Sequence, residues 1–178
     1  SLSQESHLLG DDIFTKAITS DDEIVSFSLP EEGQWIDFWT GKEYAAGTEI
    51  AQAYPISHFP LFIRSGSIIP LDINTSITGI GSEKMCDGLT LLINPNGKTS
   101  KLLHLPIGDG IEYEDCMVSF DKEKGAFSLK RKSSQKTYVI IKNMPAVKDV
   151  KNVDSWDYCD RTLSFSFSNK DVEITIGL

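Results

Sequence analysis

Short apolar stretches alternate with clusters of glycine, proline, asparagine and aspartate along the whole chain. Alternation with period two, typical of a strand with one buried face, is clear at residues 23–30 and at residues 162–178, where Leu163, Phe165 and Phe167 share one face. Helical periodicity over a helix-length window is hard to find. The pattern therefore predicts an all-β protein, and the irregular spacing of its strands favours sandwiches over a closed barrel.

Two turn motifs predict hairpins. The sequence "NPNG" at residues 94–97 follows an apolar stretch, and Asp109-Gly110 separates two strand-like stretches. Asparagine, aspartate and glycine accept the backbone conformations that tight hairpin turns require. The strands that flank each turn are therefore expected to pair with each other, in a mainly antiparallel arrangement.

The length of 178 residues allows one β-sandwich or two small ones. Small and polar residues at positions 72–84 interrupt two strongly apolar blocks, which is typical of a domain boundary. The sequence predicts a first β-sandwich at residues 1–76 and a second at residues 77–178.

The charge balance narrows the range of partners. Seventeen basic and 26 acidic residues give a formal charge of −9, and the one dense basic cluster, at residues 129–136, has few aromatic neighbours. A nucleic-acid surface would need many lysines and arginines on one face. We therefore expect no nucleic-acid partner, and we interpret residues 129–136 as a solvated strand or hairpin. No apolar run is long enough to predict a membrane span, and no leader peptide is evident.

The residue types that bind metals or carry redox chemistry are few and scattered. Cys86, Cys116 and Cys159 have no metal-knuckle spacing, and we expect them to be buried free thiols. The three histidines are expected to be surface or capping residues, since none has metal-ligand spacing; they are His7, His58 and His104.

Candidate catalytic groups have equally weak support. Adjacent carboxylates such as Asp11-Asp12 and Glu114-Asp115 point to opposite faces of a strand, whereas a glycosidase holds two carboxyl groups across one sugar. Ser65-Gly66-Ser67 lacks the context of a nucleophile elbow. We assign no catalytic, cofactor-binding or metal-binding residue and expect no cofactor.

The segment "WIDFWTGKEY", at residues 35–44, is the densest aromatic stretch. In an extended strand Trp35, Asp37 and Trp39 would share one face, with Ile36 and Phe38 on the other. A tight turn at residues 40–42, with Gly41 at positive φ, would bring Tyr44 back on a second strand. Asp37 is then placed to accept hydrogen bonds from the tryptophan or tyrosine side chains, or to fix the turn. Core or interdomain packing and a sugar-stacking platform are the two interpretations of this stretch.

Together with the next motif, this segment resembles a known family. "GQWIDFWTGKEYAAGTEI" and then "YPISHFPLFIRSGSIIPL" are similar to the region after the catalytic barrel in glycoside hydrolase family 31, the α-glucosidases and α-xylosidases. There Gly-x-Trp-Tyr-Asp-Phe-Trp-Thr-Gly is followed, after a short gap, by Pro-Leu-Phe-Val-Arg-Ala-Gly-Ser-Ile-Ile-Pro. Upstream, "HLLGDDIF" aligns Gly10 and Asp11 with a family strand, but Ala17 stands where a proline falls. Downstream, "YEDCM" resembles the distal-domain pattern Tyr-Glu-Asp-Asp-Gly, with Cys116 and Met117 in place of Asp-Gly.

The resemblance implies proximal and distal C-terminal β-sandwiches of a retaining α-glycosidase. The family's nucleophile and acid/base belong to the barrel, and no residue here aligns with them. The chain is then expected to be inactive alone, to pack against the barrel of its parent enzyme and stabilise it, and to leave the carbohydrate substrate to that barrel. An independent carbohydrate-binding sandwich, using Trp156 and Tyr158 on a loop, is the alternative. A plain interaction scaffold that self-associates is a third hypothesis.

Overall fold

The computed structural model describes residues 5–19, 24–71, 88–107 and 112–178. These residues contain strands and turns and no helix, and in particular no helix with the length and apolarity to cross a membrane. The all-β prediction is confirmed. Contacts divide the chain into two units, residues 1–65 and residues 66–178.

The first unit is a sandwich of a five-stranded and a two-stranded sheet. The larger sheet has the order β1-β2-β7-β4-β5, and β3 pairs with β6 in the smaller one. Aromatic side chains from both sheets meet in the core, where the ring of Phe27 on β3 lies 5.9 Å from Phe14 on β2 and 5.8 Å from Phe62 on β7. Burial of these rings stabilises this unit. Its strands are β1 Ser6–Leu9, β2 Ile13–Lys16, β3 Val25–Ser28, β4 Trp35–Asp37, β5 Glu43–Tyr44, β6 Glu49–Gln52 and β7 Leu61–Arg64.

The second unit is a sandwich of two five-stranded sheets. Their strand orders are β10-β11-β12-β17-β14 and β15-β16-β13-β9-β8. All described pairs are antiparallel except β9 with β13. The strands are β8 Ser67–Leu71, β9 Gly88–Asn94, β10 Lys98–Ile107, β11 Glu112–Asp121, β12 Ala126–Lys130, β13 Lys136–Ile141, β14 Asp149–Val150, β15 Ser155–Cys159, β16 Thr162–Phe167 and β17 Asp171–Gly177.

The core of the second unit follows the predicted alternation. Leu163, Phe165 and Phe167 on β16 are 0%, 3% and 1% exposed, as the shared face predicted. Phe127 on β12, in the opposite sheet, packs edge-to-face on Phe165 with ring centroids 5.4 Å apart. The two sheets therefore close around one apolar layer.

One hairpin prediction is confirmed and the other is wrong. β10 and β11 pair from Lys98↔Asp121 to Ile107↔Glu112, as Asp109-Gly110 indicated, although residues 108–111 themselves are not described. β9 and β10 do not pair, because the turn at residues 94–97 leads from one sheet to the other. Turn residues show where a chain reverses, but they do not determine which sheet the next strand joins.

The predicted boundary between residues 76 and 77 lies outside the described residues and stays a prediction. β8, which that prediction included in the first domain, forms hydrogen bonds with β9. Its register runs from Ser67↔Asn94 to Leu71↔Thr90. The contacts of β8 therefore place it in the second unit, which begins at Gly66.

Candidate interaction surface

Asp37 ends β4 and shapes the loop that follows it. Its side chain is 2% exposed, and Oδ1 accepts hydrogen bonds from the backbone N–H of Trp39 at 2.9 Å and of Thr40 at 2.8 Å. Gly41 has φ of 70° and donates its N–H to the Asp37 carbonyl at 2.9 Å. Tyr44 on β5 then pairs with Trp35 on β4, as predicted. Asp37 therefore fixes the turn, which was one of the two roles expected for it.

The strand itself is shorter than the aromatic pattern suggested. β4 ends at Asp37, so Phe38 and Trp39 lie in the turn and not on the two faces of a strand. The tryptophan N–H groups bond elsewhere than to Asp37: Trp35 Nε1 donates to the Glu32 carbonyl at 3.1 Å. An aspartate that binds the next backbone amides competes with continuation of the ladder, which explains the early end.

Trp39 is the centre of an aromatic surface that the chain leaves partly in solvent. Its Nε1 donates to the Phe59 carbonyl at 2.8 Å, which ties the β4–β5 turn to residues 55–59. Ring centroids lie 5.1 Å from Phe38, 4.3 Å from His58 and 5.8 Å from Phe59, each at a steep interplanar angle. Ile56 is fully exposed. We call Phe38, Trp39, His58 and Phe59 the Trp39 surface.

The second unit holds a buried polar cluster where the chain crosses between its sheets. Glu114, which is 3% exposed on β11, accepts hydrogen bonds at Oε2 from the backbone N–H of Lys132 at 3.0 Å and of Ser133 at 2.7 Å. The Ser133 hydroxyl donates to Oε1. Arg131 is 6% exposed and donates from Nη2 to Thr137 Oγ1 at 2.7 Å. The prediction of a solvated strand or hairpin at residues 129–136 is therefore wrong at Arg131, because a carboxylate far away in sequence organises this crossing.

Glu114 makes the stability of the second unit depend on pH. Burial raises the pKa of Glu114, but hydrogen bonds from Ser133 and Lys132 and the charge of Arg131 outweigh burial and hold that pKa below its ordinary value. A lowered folded-state pKa gives stability that is fully present above the unfolded pKa, near 4.3, and is lost as pH falls through the folded pKa.

Glu114→Gln is expected to lower the free energy of unfolding at pH 7 by about 1–2 kcal/mol, since a charged acceptor is replaced by a neutral one. It is also expected to flatten the loss of stability in acid. Urea unfolding at a series of pH values below 7 measures both effects. Glu112→Gln removes an exposed charge from the same strand and serves as the matched control. An unchanged acid profile in Glu114→Gln would contradict the assignment.

The remaining residues singled out in the sequence stand apart from one another. His7 and His104 are exposed, as expected, and His104 Nδ1 lies 2.7 Å from Asp115 Oδ1. Cys116 is buried, and burial raises its pKa to about 11, whereas Cys159 is exposed and contradicts its prediction. Cys86 lies outside the described residues. The described residues hold no group of three His, Cys, Asp or Glu side chains placed to bind a metal.

Trp156 and Tyr158 lie on β15, so their placement on a loop is wrong. β15 is the edge strand of its sheet, and the two residues oppose the buried Phe165 and Leu163 on β16. Tyr158 packs on the core and donates its hydroxyl to the Met144 carbonyl at 3.4 Å, while Trp156 is 41% exposed. Tyr158 therefore covers the edge of the core, and Trp156 is partly open to solvent.

The sequence interpretation missed His58 and Phe59 as neighbours of Trp39. The available signal was the segment "PISHFP", in which apolar residues and a histidine stand between two prolines. Proline restricts the backbone and disfavours a continuous strand there, so side chains in such a segment lie on a surface turn.

Comparison with known proteins finds a similarity that covers the first unit and the start of the second. The glycosyl hydrolase family 31 C-terminal domain matches residues 2–69. An isomaltosyltransferase of Sporosarcina globispora is 27% identical over 68% of this chain and 11% of its own length. An α-xylosidase of Saccharolobus solfataricus is 28% identical over 60% of this chain and 15% of its own.

A solved structure extends the likeness to the fold of both units. A family 31 dextranase of Flavobacterium johnsoniae matches 98% of this chain with 27% of its own, at a TM-score of 0.73 and 19% identity. The chain thus spans a small part of each of these proteins. Residues 2–69 are thus similar to the C-terminal domain of glycosyl hydrolase family 31, and the resemblance found in the sequence is confirmed.

Proposed function

We propose that this chain is the non-catalytic C-terminal part of a retaining α-glycosidase, of α-glucosidase or α-xylosidase type, and that it packs against and stabilises the catalytic barrel. The observation that carries the proposal is the state of Asp37. A catalytic carboxylate of a glycosidase must face a sugar, yet Asp37 is 2% exposed and accepts hydrogen bonds from two backbone amides. Asp37 therefore maintains the fold.

The lengths of the relatives support the same proposal. The chain covers 11% of the isomaltosyltransferase and 15% of the α-xylosidase. A small C-terminal domain in so long a polypeptide is suited to packing against a larger domain and stabilising it. On this proposal the choice of sugar and linkage belongs to the barrel.

The purified chain is expected to release no nitrophenol from aryl α-glucosides or aryl α-xylosides above the buffer rate, because on this proposal the pair of catalytic carboxyl groups belongs to the barrel. The measurement is a continuous absorbance assay at high protein concentration. A complete family 31 enzyme assayed alongside provides the positive control. Turnover by this chain, retained after a further purification step, would contradict the proposal.

The exposure of Trp156 favours one second candidate, an independent carbohydrate-binding module. A ring that is 41% exposed on an edge strand has apolar area that a sugar can cover. Calorimetric titration with α-glucan and xyloglucan oligosaccharides discriminates the two candidates. Binding that Trp156→Ala abolishes would establish the module, and absence of heat with either oligosaccharide would remove it.

A further inference from the structure

We infer that Asn96, which precedes Gly97 in the crossing from β9 to β10, is a site of spontaneous deamidation in the folded protein. The inference goes beyond the proposed function and does not depend on it. Of the six asparagines in the chain, only Asn96 is followed by glycine. Asparagine is a thermolabile residue type, and glycine has no side chain that hinders its backbone nitrogen.

The reaction needs only these two residues and water. Hydroxide removes the proton of the Gly97 backbone nitrogen, which attacks Cγ of Asn96 and forms an N–Cγ bond. A water molecule supplies the proton with which the side-chain nitrogen leaves as ammonia. Water then opens the cyclic succinimide. Opening at Cγ gives aspartate, and opening at the backbone carbonyl carbon gives isoaspartate, whose main chain runs through Cβ and Cγ.

The fold leaves both reacting groups accessible. Asn96 is exposed, and apart from the chain neighbours no atom lies within 4 Å of the position that a Cβ on Gly97 would take. The Gly97 carbonyl accepts the N–H of Lys122 at 3.0 Å, but the Gly97 N–H itself forms no hydrogen bond within the described part of the chain. A backbone N–H that no acceptor holds is open to hydroxide and can approach the amide carbon.

The other described asparagines lack this combination. Asn94 is 3% exposed and precedes Pro95, which has no N–H. The N–H of Met144, which follows Asn143, donates to the Arg161 carbonyl at 2.9 Å. Larger side chains than that of glycine follow the remaining two, Asn152 and Asn169. These asparagines therefore serve as internal references in the same molecule.

The isoaspartate product disturbs the crossing between the two sheets. Its additional main-chain atom displaces the Gly97 carbonyl, which accepts the N–H of Lys122. The N–H of Asn96 donates to Oγ1 of Thr99 at 3.4 Å, and Thr99 opposes the buried Phe120, so the disturbance reaches the paired ends of β10 and β11. Both products also add a negative charge to a chain of formal charge −9. Ageing at this site therefore lowers the stability of the second unit.

Peptide mass spectrometry of the chain, incubated in mildly alkaline buffer, tests the inference. We expect conversion of Asn96 in the folded chain at a rate within about tenfold of that in the same chain unfolded in urea, because reaction at an unbonded amide needs no unfolding. Both aspartate and isoaspartate should form. Asn143, Asn152 and Asn169 should stay amides over the same period.

Asn96→Gln is the matched control. It keeps an exposed amide, so the stability of the fresh chain should not change, but its longer side chain cannot form the succinimide. After equal incubation, hydrogen exchange in β10 should be faster in the unsubstituted chain than in this variant.

Two results would overturn the inference. Conversion of Asn96 in urea but not in the folded chain would show that the fold protects the site. Conversion of Asn152 or Asn169 in the folded chain as fast as that of Asn96 would show that Gly97 and its unbonded N–H confer no selectivity. Equal exchange in the two aged proteins would overturn the loss of stability inferred for the product.

Discussion

Gly125→Ala is expected to lower the free energy of unfolding of the second unit by about 3 kcal/mol or more. Gly125 has φ of +60°, and a Cβ built on it would lie 2.2 Å from the backbone carbonyl oxygen of Ile176. That oxygen belongs to β17, whose Ile176 N–H donates to the Gly125 carbonyl at 2.7 Å. Relief of the clash would therefore break a hydrogen bond between β17 and the β11–β12 turn.

Gly97→Ala is the matched control for this substitution. Gly97 has φ of +59°, and nothing lies within 4 Å of the position of its added Cβ. Gly97→Ala should therefore lower the free energy of unfolding only by the backbone strain, about 1–2 kcal/mol. Native-state hydrogen exchange of peptides that cover β12 and β17 measures the stability of the second unit separately from that of the first. Equal losses in the two variants would show that β17 moves away from the new methyl group without cost.

Asp37→Ala is expected to destabilise the first unit by about 2–4 kcal/mol, because two backbone amides lose a charged acceptor at a site closed to water. Urea unfolding followed by tryptophan fluorescence measures this loss. Of the three tryptophans only Trp156 lies outside the first unit, so a Trp156→Phe background makes the signal specific for the first.

Asp37→Asn distinguishes the capping role from a role for negative charge. The amide oxygen still accepts both hydrogen bonds, so this variant should keep more than half of the stability that Asp37→Ala loses. If Asp37→Asn were as unstable as Asp37→Ala, the charge itself would be required. If neither variant were destabilised, the turn at residues 38–42 would not depend on its cap.

The sequence was sufficient where local pattern and burial agree. β16 follows strict alternation, and Leu163, Phe165 and Phe167 are buried as that pattern requires. The return of Tyr44 beside Trp35 follows from Gly41, a residue suited to the positive φ of that turn. Both features depend on neighbours a few residues apart, and the chemistry of such neighbours can be recognised without the fold.

The predictions failed where a residue distant in sequence determines the local structure. Arg131 is buried because Glu114, on another strand, binds the turn after it, and the basic composition of residues 129–136 gives no sign of this. Trp39 leaves the strand because Asp37 caps it, although the aromatic alternation continues. The ring contacts of Trp39 also need His58 and Phe59, which follow it in the sequence only after β5 and β6.

The position of β17 has a consequence for biosynthesis. This strand is the last described one in the chain, yet it lies inside its sheet, between β12 and β14. Until Gly177 has left the ribosome, β12 exposes an unpaired edge and the apolar face that β17 would complete. At ordinary elongation rates the second unit takes on the order of ten seconds to synthesise. The first unit, whose strands end at Arg64, leaves the ribosome before the second unit is complete. The nascent protein therefore passes through a state in which one sandwich can already close while the other is an open edge, and that edge is where chaperones or aggregation compete with folding.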